Sequence, residues 1–296
     1  MHGIVMAGGN GSRLNPITLG VSKQLLPIYD KPLIFYSLSV LFLAGIRNLT
    51  IVCMSRDIEA FKMLFGEGER FGAEITYVTQ DFPRGIAEGI LLCEHFVKTS
   101  SVAMVLGDNF FWGQAFYEQL AAAKASISND KGAHVFGYRV RNPEDFGVLE
   151  LDNNEQVISL EEKPTKPASN IAATGLYFYD ESALERTKSL VPSNRGELEI
   201  TDLNLSYLND KSLGCTVLGR GFAWLDTGSF QGLHDASVFV ESIEGRQGLK
   251  IACLEEIALQ NGWIEIRDLE ASISNMGESS YRLYLEKLMG EFSHGN

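Results

Sequence analysis

The sequence predicts the α/β class: a mixed, mostly parallel sheet flanked by helices. Two observations carry that expectation. Through residue 106, short apolar runs of strand character alternate with helical patterns, the rhythm of a parallel sheet whose crossovers are helices. Beyond residue 133 the strand-like runs follow one another with few helices between, so that half is expected to pair in a more mixed or antiparallel way.

In order, residues 4–7 form an apolar strand that empties into Gly8, Gly9 and Gly11. Residues 33–45 are apolar at helical spacing and end in Ala-Gly, as a helix C-terminus should. The spacing then predicts a strand over 49–54, a helix over 57–65, a strand over 74–79, a helix over 84–97 and a strand over 101–106. Strands follow over 134–140, 146–151, 156–160 and 171–179, with Asp152-Asn-Asn-Glu as a hairpin turn. A helix opens within 194–202 and runs to about Leu208, and another spans 229–244. The last third carries helical patterns over 249–260 and 281–289, with 269–274 ambiguous. In a sheet of this kind, active residues lie beyond the carboxyl ends of the strands.

Composition narrows the classes. A chain of 296 residues suffices for one large α/β domain, and a 45% hydrophobic and 21% charged make-up argues for a folded globular body. The net charge of −13 argues against general nucleic-acid binding, which rests on basic surfaces. No stretch reaches the roughly 20 apolar residues of a membrane span, and the strand at the N-terminus leaves no room for a signal peptide. Cys53, Cys93, Cys215 and Cys253 form no C-x-x-C pair, so neither a zinc site nor a disulfide framework is expected. That usage fits a reducing cytoplasm. The five histidines are dispersed and receive no catalytic role.

The opening loop reads as a polyphosphate cradle. Glycines let an anion approach main-chain N–H groups; Arg13 offers a planar cationic fork and Lys23 a mobile point charge. It is not a Walker A loop, and Leu14 stands where a dinucleotide fingerprint needs its third glycine. Gly8-Gly-x-Gly-Ser-Arg-Leu-x-Pro16, with Lys23 and Pro27, resembles the signature of the sugar-nucleotide pyrophosphorylases, a family of nucleotidyltransferases. The wording of residues 21–32, Val-Ser-Lys-Gln-Leu-Leu-Pro-Ile-Tyr-Asp-Lys-Pro, is most similar to the thymidylyl-transferring branch.

Other motifs acquire roles from that resemblance. Gly107-Asp108-Asn109 lies at a strand end, where a carboxylate suits Mg²⁺ as well as it suits a turn cap; the resemblance makes Asp108 a metal ligand. Phe110-Phe-Trp112 either closes the pocket or is core. Gln80-Asp-Phe-Pro-Arg-Gly85 matches the base-reading motif, the Gln80 amide offering a donor and an acceptor to the O4 and N3–H edge of thymine or uracil. Glu161-Glu-Lys-Pro164 resembles the motif in which Glu162 binds sugar hydroxyls and Lys163 the sugar phosphate. Gly147 and Gly175 are then backbone contacts to the sugar, with Ala173 where relatives commonly carry valine. Glu197, in Arg-Gly-Glu-Leu-Glu-Ile-Thr-Asp202, is either near the sugar or an acid favoured in a helix's first turn. Trp224-Leu-Asp226-Thr-Gly228 supplies the second metal aspartate, unless it is a generic turn.

The resemblance thus implies a Rossmann-like (GT-A-like) fold in one nucleotidyltransferase domain over 1–296. Residues 1–132 would be its nucleotide-binding half, 133–228 its sugar-phosphate half, and 229–296 a helical part making oligomer contacts. It implies Mg²⁺-dependent transfer of a nucleotidyl group from dTTP to glucose 1-phosphate, with Arg13, Lys23, Asp108 and Lys163 as the catalytic set. Gly8, Gly9, Gly11, Ser12, Arg13, Lys23, Gln24, Gln80, Gly85 and Asp108 would contact the nucleotide. Asn109, Gly147, Glu162, Lys163, Ala173, Gly175 and Trp224 would contact the sugar phosphate, and Asp108 and Asp226 the metal. A homotetramer with a regulatory nucleotide site, no nucleic-acid or membrane partner and a cytoplasmic setting complete the expectation. A uridylyl- or cytidylyltransferase on the same scaffold, or a non-catalytic nucleotide sensor, are the alternatives.

Overall fold

The computed structural model describes residues 1–130 and 132–294. The alternating first third folds into the parallel block it predicts. β1 (His2–Ala7), β2 (Pro27–Ile28), β3 (Lys31–Pro32), α1 (Leu33–Leu43), β4 (Asn48–Cys53) and α2 (Ile58–Phe65) come first. β5 (Glu74–Thr79), α3 (Glu88–Leu92), α4 (Glu94–Val97) and β6 (Val102–Leu106) complete the block. β1 runs parallel to both β4 and β6, and β4 parallel to β5. β2 and β3 make a small separate hairpin.

The middle of the chain holds β7 (Asn109–Gly113), α5 (Phe116–Asp130), β8 (Ala133–Arg139), β9 (Gly147–Leu151), β10 (Val157–Glu162) and β11 (Ile171–Tyr179). It continues through α6 (Ala183–Lys188), α7 (Ile200–Asn209), β12 (Leu213–Leu218) and β13 (Phe222–Asp226). The change of texture beyond residue 133 is a change of pairing: β11 is antiparallel to β6, β8 and β9, and β10 to β9. Only β12 on β8 is parallel there among the described residues. Among the described residues the main sheet has nine strands, in the order β10-β9-β11-β6-β1-β4-β5, with β8 on β11 and β12 on β8.

One detail of this pairing positions the site. β11 pairs with β9 through Ile171 and Ala172 and with β6 through residues 176–179. Ala173, Thr174 and Gly175 are paired with neither, so the sheet parts where β6 ends, and a cavity opens there.

Period-two alternation builds the core on both faces. Val5, Ala7, Ile51, Val105 and Phe178 pack with α1, α2, α5 and α9 (Leu254–Gln260). Ile4, Met6, Val52, Met104 and Tyr179 pack with α3, α4, α6 and α7. The C-terminal part comprises α8 (Phe230–Gln247), α9, α10 (Ile266–Ser274) and α11 (Ser280–His294). α9 contributes Leu254, Ile257 and Ala258 to the first face, so this part is anchored in the main core. Among the described residues no helix is long and apolar enough to cross a membrane.

Several elements differ from the expectation. The helix predicted over 84–97 begins at Glu88 and breaks at Cys93. Its first turn is taken instead by bonds to another segment, Leu198 N donating to Arg84 O (2.7 Å) and Ala87 N to Leu198 O (3.2 Å). The helix predicted over 249–260 starts only at Leu254, because the Ile251 amide bonds to Glu244 Oε1 (2.9 Å) and Ala252 is left-handed at φ 55°. The ambiguous 269–274 is helical from Ile266, behind a capping box of Glu265 and Asp268. α5, α6, β12 and β13 were not predicted. Phe110 and Phe111 are core residues on β7, 0% and 5% exposed, and do not close a pocket. Residues 131, 295 and 296, which fall within the expected divisions of the chain, lie outside the described residues.

Candidate active site

The two aspartates predicted far apart in the chain are brought together by one strand pairing. β13 runs antiparallel to β7 with Asp226 opposite Asn109, which sets Asp226 beside Asp108. Thr227 locks the junction, its N–H (3.2 Å) and Oγ1 (2.7 Å) both donating to the Asp108 carbonyl. Asp108 itself accepts from Lys23 Nζ at Oδ2 and from Asn109 Nδ2 (2.9 Å) at Oδ1. Burial pushes its acidity toward the neutral form, but the Lys23 charge and these bonds hold it below the ordinary carboxylate range. Asp226 goes the other way. Burial and then the Asp108 charge raise it, against weaker opposition from the Gly228 N–H (3.0 Å), Lys23 and Arg13. A Cβ built on Gly228 would lie 3.1 Å from Asp226 Oδ1 and 3.7 Å from Arg13 Nη1, so the guanidinium stands near Asp226.

Two cavities meet at Asp108. The larger, about 700 Å³, is walled by Arg13, Asp108, Asn109, Gly147, Glu162, Lys163, Ala173, Gly175, Trp224 and Asp226, among others. It therefore gathers every residue expected to contact the sugar phosphate, together with both expected metal ligands. Glu162 is held by Thr201 Oγ1 (2.7 Å), and its other oxygen lies 3.8 Å from Lys163 Nζ. Lys163 turns out of β10 in the left-handed region at φ 46°, a conformation seldom adopted by a lysine. Its amide donates to Phe146 O (2.9 Å), which ties the turn to the start of β9. Asn109 is the structural node of this wall. Its Oδ1 accepts from Gly175 N (3.0 Å) and Trp224 Nε1 (2.7 Å), while Nδ2 serves Asp108. Its oxygen and one N–H thus serve the scaffold, while the residue itself lines the cavity.

The smaller cavity, about 300 Å³, is bordered by Gly8, Gly9, Lys23, Gln24, Gln80 and Gly85, and shares Asp108, Glu162 and Lys163 with the larger. Gly9 leaves open space beside it. Gly11 and Ser12 border neither cavity. Gly11 is left-handed at φ 59°, with Thr18 Cγ2 2.9 Å from where its Cβ would stand, so it makes the turn rather than the cradle surface. Gly85, at φ 100°, is required by a close approach: its Cβ would fall 2.2 Å from Leu198 O. Gln80 differs from the expectation in one respect. Nε2 already donates to Gly85 O (3.1 Å) and Glu88 Oε2 (2.8 Å), so it offers the cavity its acceptor and not its donor.

The arrangement is a seam of cations and carboxylates between a smaller and a larger pocket at strand ends. A model of the nucleotidyl transferase family matches residues 2–243. The chain belongs to this family. A glucose-1-phosphate thymidylyltransferase of Neisseria gonorrhoeae is 51% identical over 291 residues, covering 98% of this chain and all of that one. The protein of the same name from Mycobacterium tuberculosis is 45% identical over 289 residues, 98% of this chain and 99% of that one. Among solved structures, a Bacillus anthracis protein assigned as a glucose-1-phosphate thymidylyltransferase, in complex with sucrose, superposes with a TM-score of 0.74. It is 36% identical and covers 81% of this chain and 95% of its own. A UDP-glucose pyrophosphorylase in complex with UDP-glucose, 23% identical, shares the fold at a TM-score of 0.70, over 82% of this chain and 98% of its own.

Nucleotidyl transferases of this type generally use a divalent metal ion, and the donor set here fits one. Asp108 and Asp226 are adjacent half-buried carboxylates, and Asp226 is raised first by desolvation and then by the Asp108 charge, which a cation would relieve. Among the described residues no third His, Cys, Asp or Glu joins them in a metal-holding group. Two carboxylates completed by phosphate oxygens and water suit a hard, oxygen-seeking cation.

Three residues at the site, Thr201, Glu88 and Arg195, carried no individual assignment in the sequence. Thr201 bonds to Glu162 from 39 residues away and Glu88 to Gln80 from 8, across the loop between them, and no local pattern reports either contact. Arg195 borders the smaller cavity, gripped by Glu199 at 2.9 and 3.0 Å. Glu197 is also there rather than near the larger one. Their motif was visible as a unit, but its facing was not.

Proposed function

We propose that this nucleotidyl transferase transfers a thymidylyl group from dTTP to α-D-glucose 1-phosphate, giving dTDP-glucose and pyrophosphate. The observation that carries the reading is the meeting of the two cavities at Asp108 and Lys163, with Lys23 on one side and Arg13 and Asp226 on the other. The names of the relatives select glucose 1-phosphate and the thymidylyl group within the family.

In this reading an oxygen of the sugar phosphate attacks the α-phosphorus in line, and the bond to the pyrophosphate oxygen breaks. A phosphate monoester dianion is already nucleophilic, so the obstacle is repulsion between two anions and charge growing on the leaving group. Catalysis is then alignment and charge compensation. Lys163 steadies the incoming sugar phosphate, Lys23 the transferring phosphate, and Arg13 the triphosphate and departing pyrophosphate. Asp108 and Asp226 would hold Mg²⁺, which supplies Lewis-acid screening of the phosphate oxygens when bound. Gly8 and Gly9 let the triphosphate approach the backbone; Gln24 and Gln80 line the nucleoside side. Glu162, Gly147, Ala173 and Gly175 face the sugar, while Asn109 and Trp224 shape that wall. The first half of the chain mainly serves the nucleotide and residues 133–228 mainly the sugar phosphate. The helical C-terminal part would carry the contacts of a homotetramer.

A pyrophosphate-release assay with glucose 1-phosphate and a panel of dTTP, UTP, CTP, ATP and GTP tests the reading. Release with dTTP above the others is expected. Preference for UTP would move the assignment to a uridylyltransferase, a reading kept open because Gln80 accepts equally from the N3–H of thymine and uracil. Nucleotide binding with no release from any of them would leave a sensor.

A further inference from the structure

Gln80 is the side chain placed to meet the base edge, and an amide can present either of two opposite faces. With its oxygen outward it accepts, matching a base with an N3–H; with its nitrogen outward it donates, matching a base whose N3 is an acceptor. Which face is shown decides whether thymine and uracil or cytosine is matched. The surroundings of Gln80 decide it through one residue outside the motif.

Gln80 is 8% exposed, and its backbone is fixed by donation to Cys53 O (2.8 Å). Both hydrogens of Nε2 are spent, one on Gly85 O (3.1 Å) and one on Glu88 Oε2 (2.8 Å). Oε1 stands on the other side, 3.0 Å from where a Gly8 Cβ would be, on the wall that both residues give to the smaller cavity. Turning the amide over would set its oxygen against a carbonyl and a carboxylate, two acceptors with no proton between them. The carboxylate is the stronger of the two obstacles, because an ionised acceptor holds a donor about twice as firmly as a neutral one. Glu88 is in turn placed by its start in α3 and by Arg84 Nη1, 3.6 Å from its other oxygen.

We propose that Glu88 is a positioning residue that pins the Gln80 amide with its oxygen toward the base, and so sets the preference for pyrimidines bearing an N3–H over cytosine. The inference rests on the nucleotidyl-transfer reading and on Gln80 facing the base. Glu88 touches neither substrate; it acts only through the orientation of Gln80.

The test compares kcat/KM for dTTP and dCTP, with glucose 1-phosphate and Mg²⁺, in the wild type and in Glu88→Gln and Glu88→Lys. Glu88→Gln keeps the size of the side chain but offers a donor as well as an acceptor, and Glu88→Lys offers donors only. The dTTP-to-dCTP ratio is expected to fall about 10-fold in the first and further, toward about 100-fold, in the second, the range an unpaired buried polar group produces. A purely structural role would lower both activities together and leave the ratio unmoved. Calorimetric binding of dTTP and dCTP reads the same preference without turnover and decides the matter if either variant is inactive. A ratio within twofold of wild type in both variants, by kinetics or by binding, overturns the proposal. Absence of any wild-type turnover with dTTP or UTP would instead overturn the functional reading, so the two failures are distinct.

Discussion

Replacing Asn109 by alanine probes the wall of the larger cavity at its node. The side chain is 4% exposed and makes three bonds: Gly175 N at 3.0 Å, Trp224 Nε1 at 2.7 Å and Asp108 Oδ1 at 2.9 Å. Truncation strands two buried donors, each costing about 1–3 kcal/mol, and removes one of the bonds that keep Asp108 ionised. The adjoining cavity admits water to part of the gap, so the expected loss lies near the low end of the sum, at about 2–3 kcal/mol. Urea unfolding at pH 7.5 measures it as a drop in midpoint at constant slope.

Gly175 supplies the internal control. A Cβ there would stand 2.7 Å from Asn109 Oδ1 and 2.7 Å from Leu106 Cδ1, so Gly175→Ala alone should cost about 1–3 kcal/mol by overpacking. One of the three closest atoms belongs to Asn109 itself, the others to Leu106. The double variant should therefore be less destabilised than the two single losses combined, by about 1 kcal/mol, as contacting residues are. An Asn109→Ala variant within about 0.5 kcal/mol of wild type, or strict additivity in the double variant, would refute the reasoning.

The remaining predictions concern catalysis, acid and thiols. Lys163→Ala should chiefly raise the KM for glucose 1-phosphate and Arg13→Ala chiefly lower kcat, each by about 2–4 kcal/mol in kcat/KM; unchanged kinetics in both would sink the assignment of roles. His2 and His134 are held neutral by burial, each pushed down to about 4 and hydrogen-bonded to a threonine at 2.8 Å. Because the unfolded imidazole takes up its proton near pH 6.5, their stabilisation is fully present above that value and is lost as pH falls toward about 4. For the partly exposed His134 the loss is at most about 3 kcal/mol, and His134→Gln should flatten the urea midpoint between pH 6.5 and 4. Burial pushes the Cys53, Cys93 and Cys215 thiols up to about 12 and Cys253 higher still. An aromatic disulfide reagent at pH 8 should therefore label the native protein slowly and the urea-unfolded chain rapidly; a fast stoichiometric reaction in the native state would contradict this burial.

What was legible in the sequence is what local pattern encodes. β11 was read to the residue because a buried strand in a two-faced sheet is apolar and bounded by turn residues. β5, an edge strand with one buried residue, was read to the residue because its Ile-Thr-Tyr-Val-Thr run is rich in β-branched and aromatic residues. β12 is also an edge strand with four of its six residues half-buried, but its Leu-Gly-Cys opening lacks such a run, and it was missed. The predicted helix over 84–97 has a sound apolar pattern, and only the backbone of Leu198, more than a hundred residues on, takes its first turn away. The site shows the same division. Asp108 and Lys163 were singled out by family motifs at strand ends, and the structure sets both on the cavity wall, but the left-handed turn at Lys163 gives no sign in a residue type that seldom adopts it. Asn109 was expected to contact the sugar phosphate; two of its three side-chain bonds reach β11 and β13 and exist only after folding.

The opening loop is accordingly a smaller cradle than its three glycines imply, and its cations have partners. Gly11 makes the turn, Gly8 makes room for Gln80, and only Gly9 stands beside open space. Lys23 rests on Asp108, Lys163 lies beside Glu162, and Arg13 stands near Asp226. Before substrate arrives, then, three cations face three carboxylates. A nucleoside triphosphate and a sugar phosphate bring several further negative charges into the same space, and the protein has no surplus of positive charge there to meet them. Moving the lysines and the arginine onto phosphate would leave the carboxylates uncompensated. A divalent cation held by Asp108 and Asp226 would resolve both deficits, compensating the carboxylates as the side-chain cations are drawn to phosphate. In that reading the acidic pair frees the basic residues for the substrates, which is why a site for two anions can be built around two aspartates.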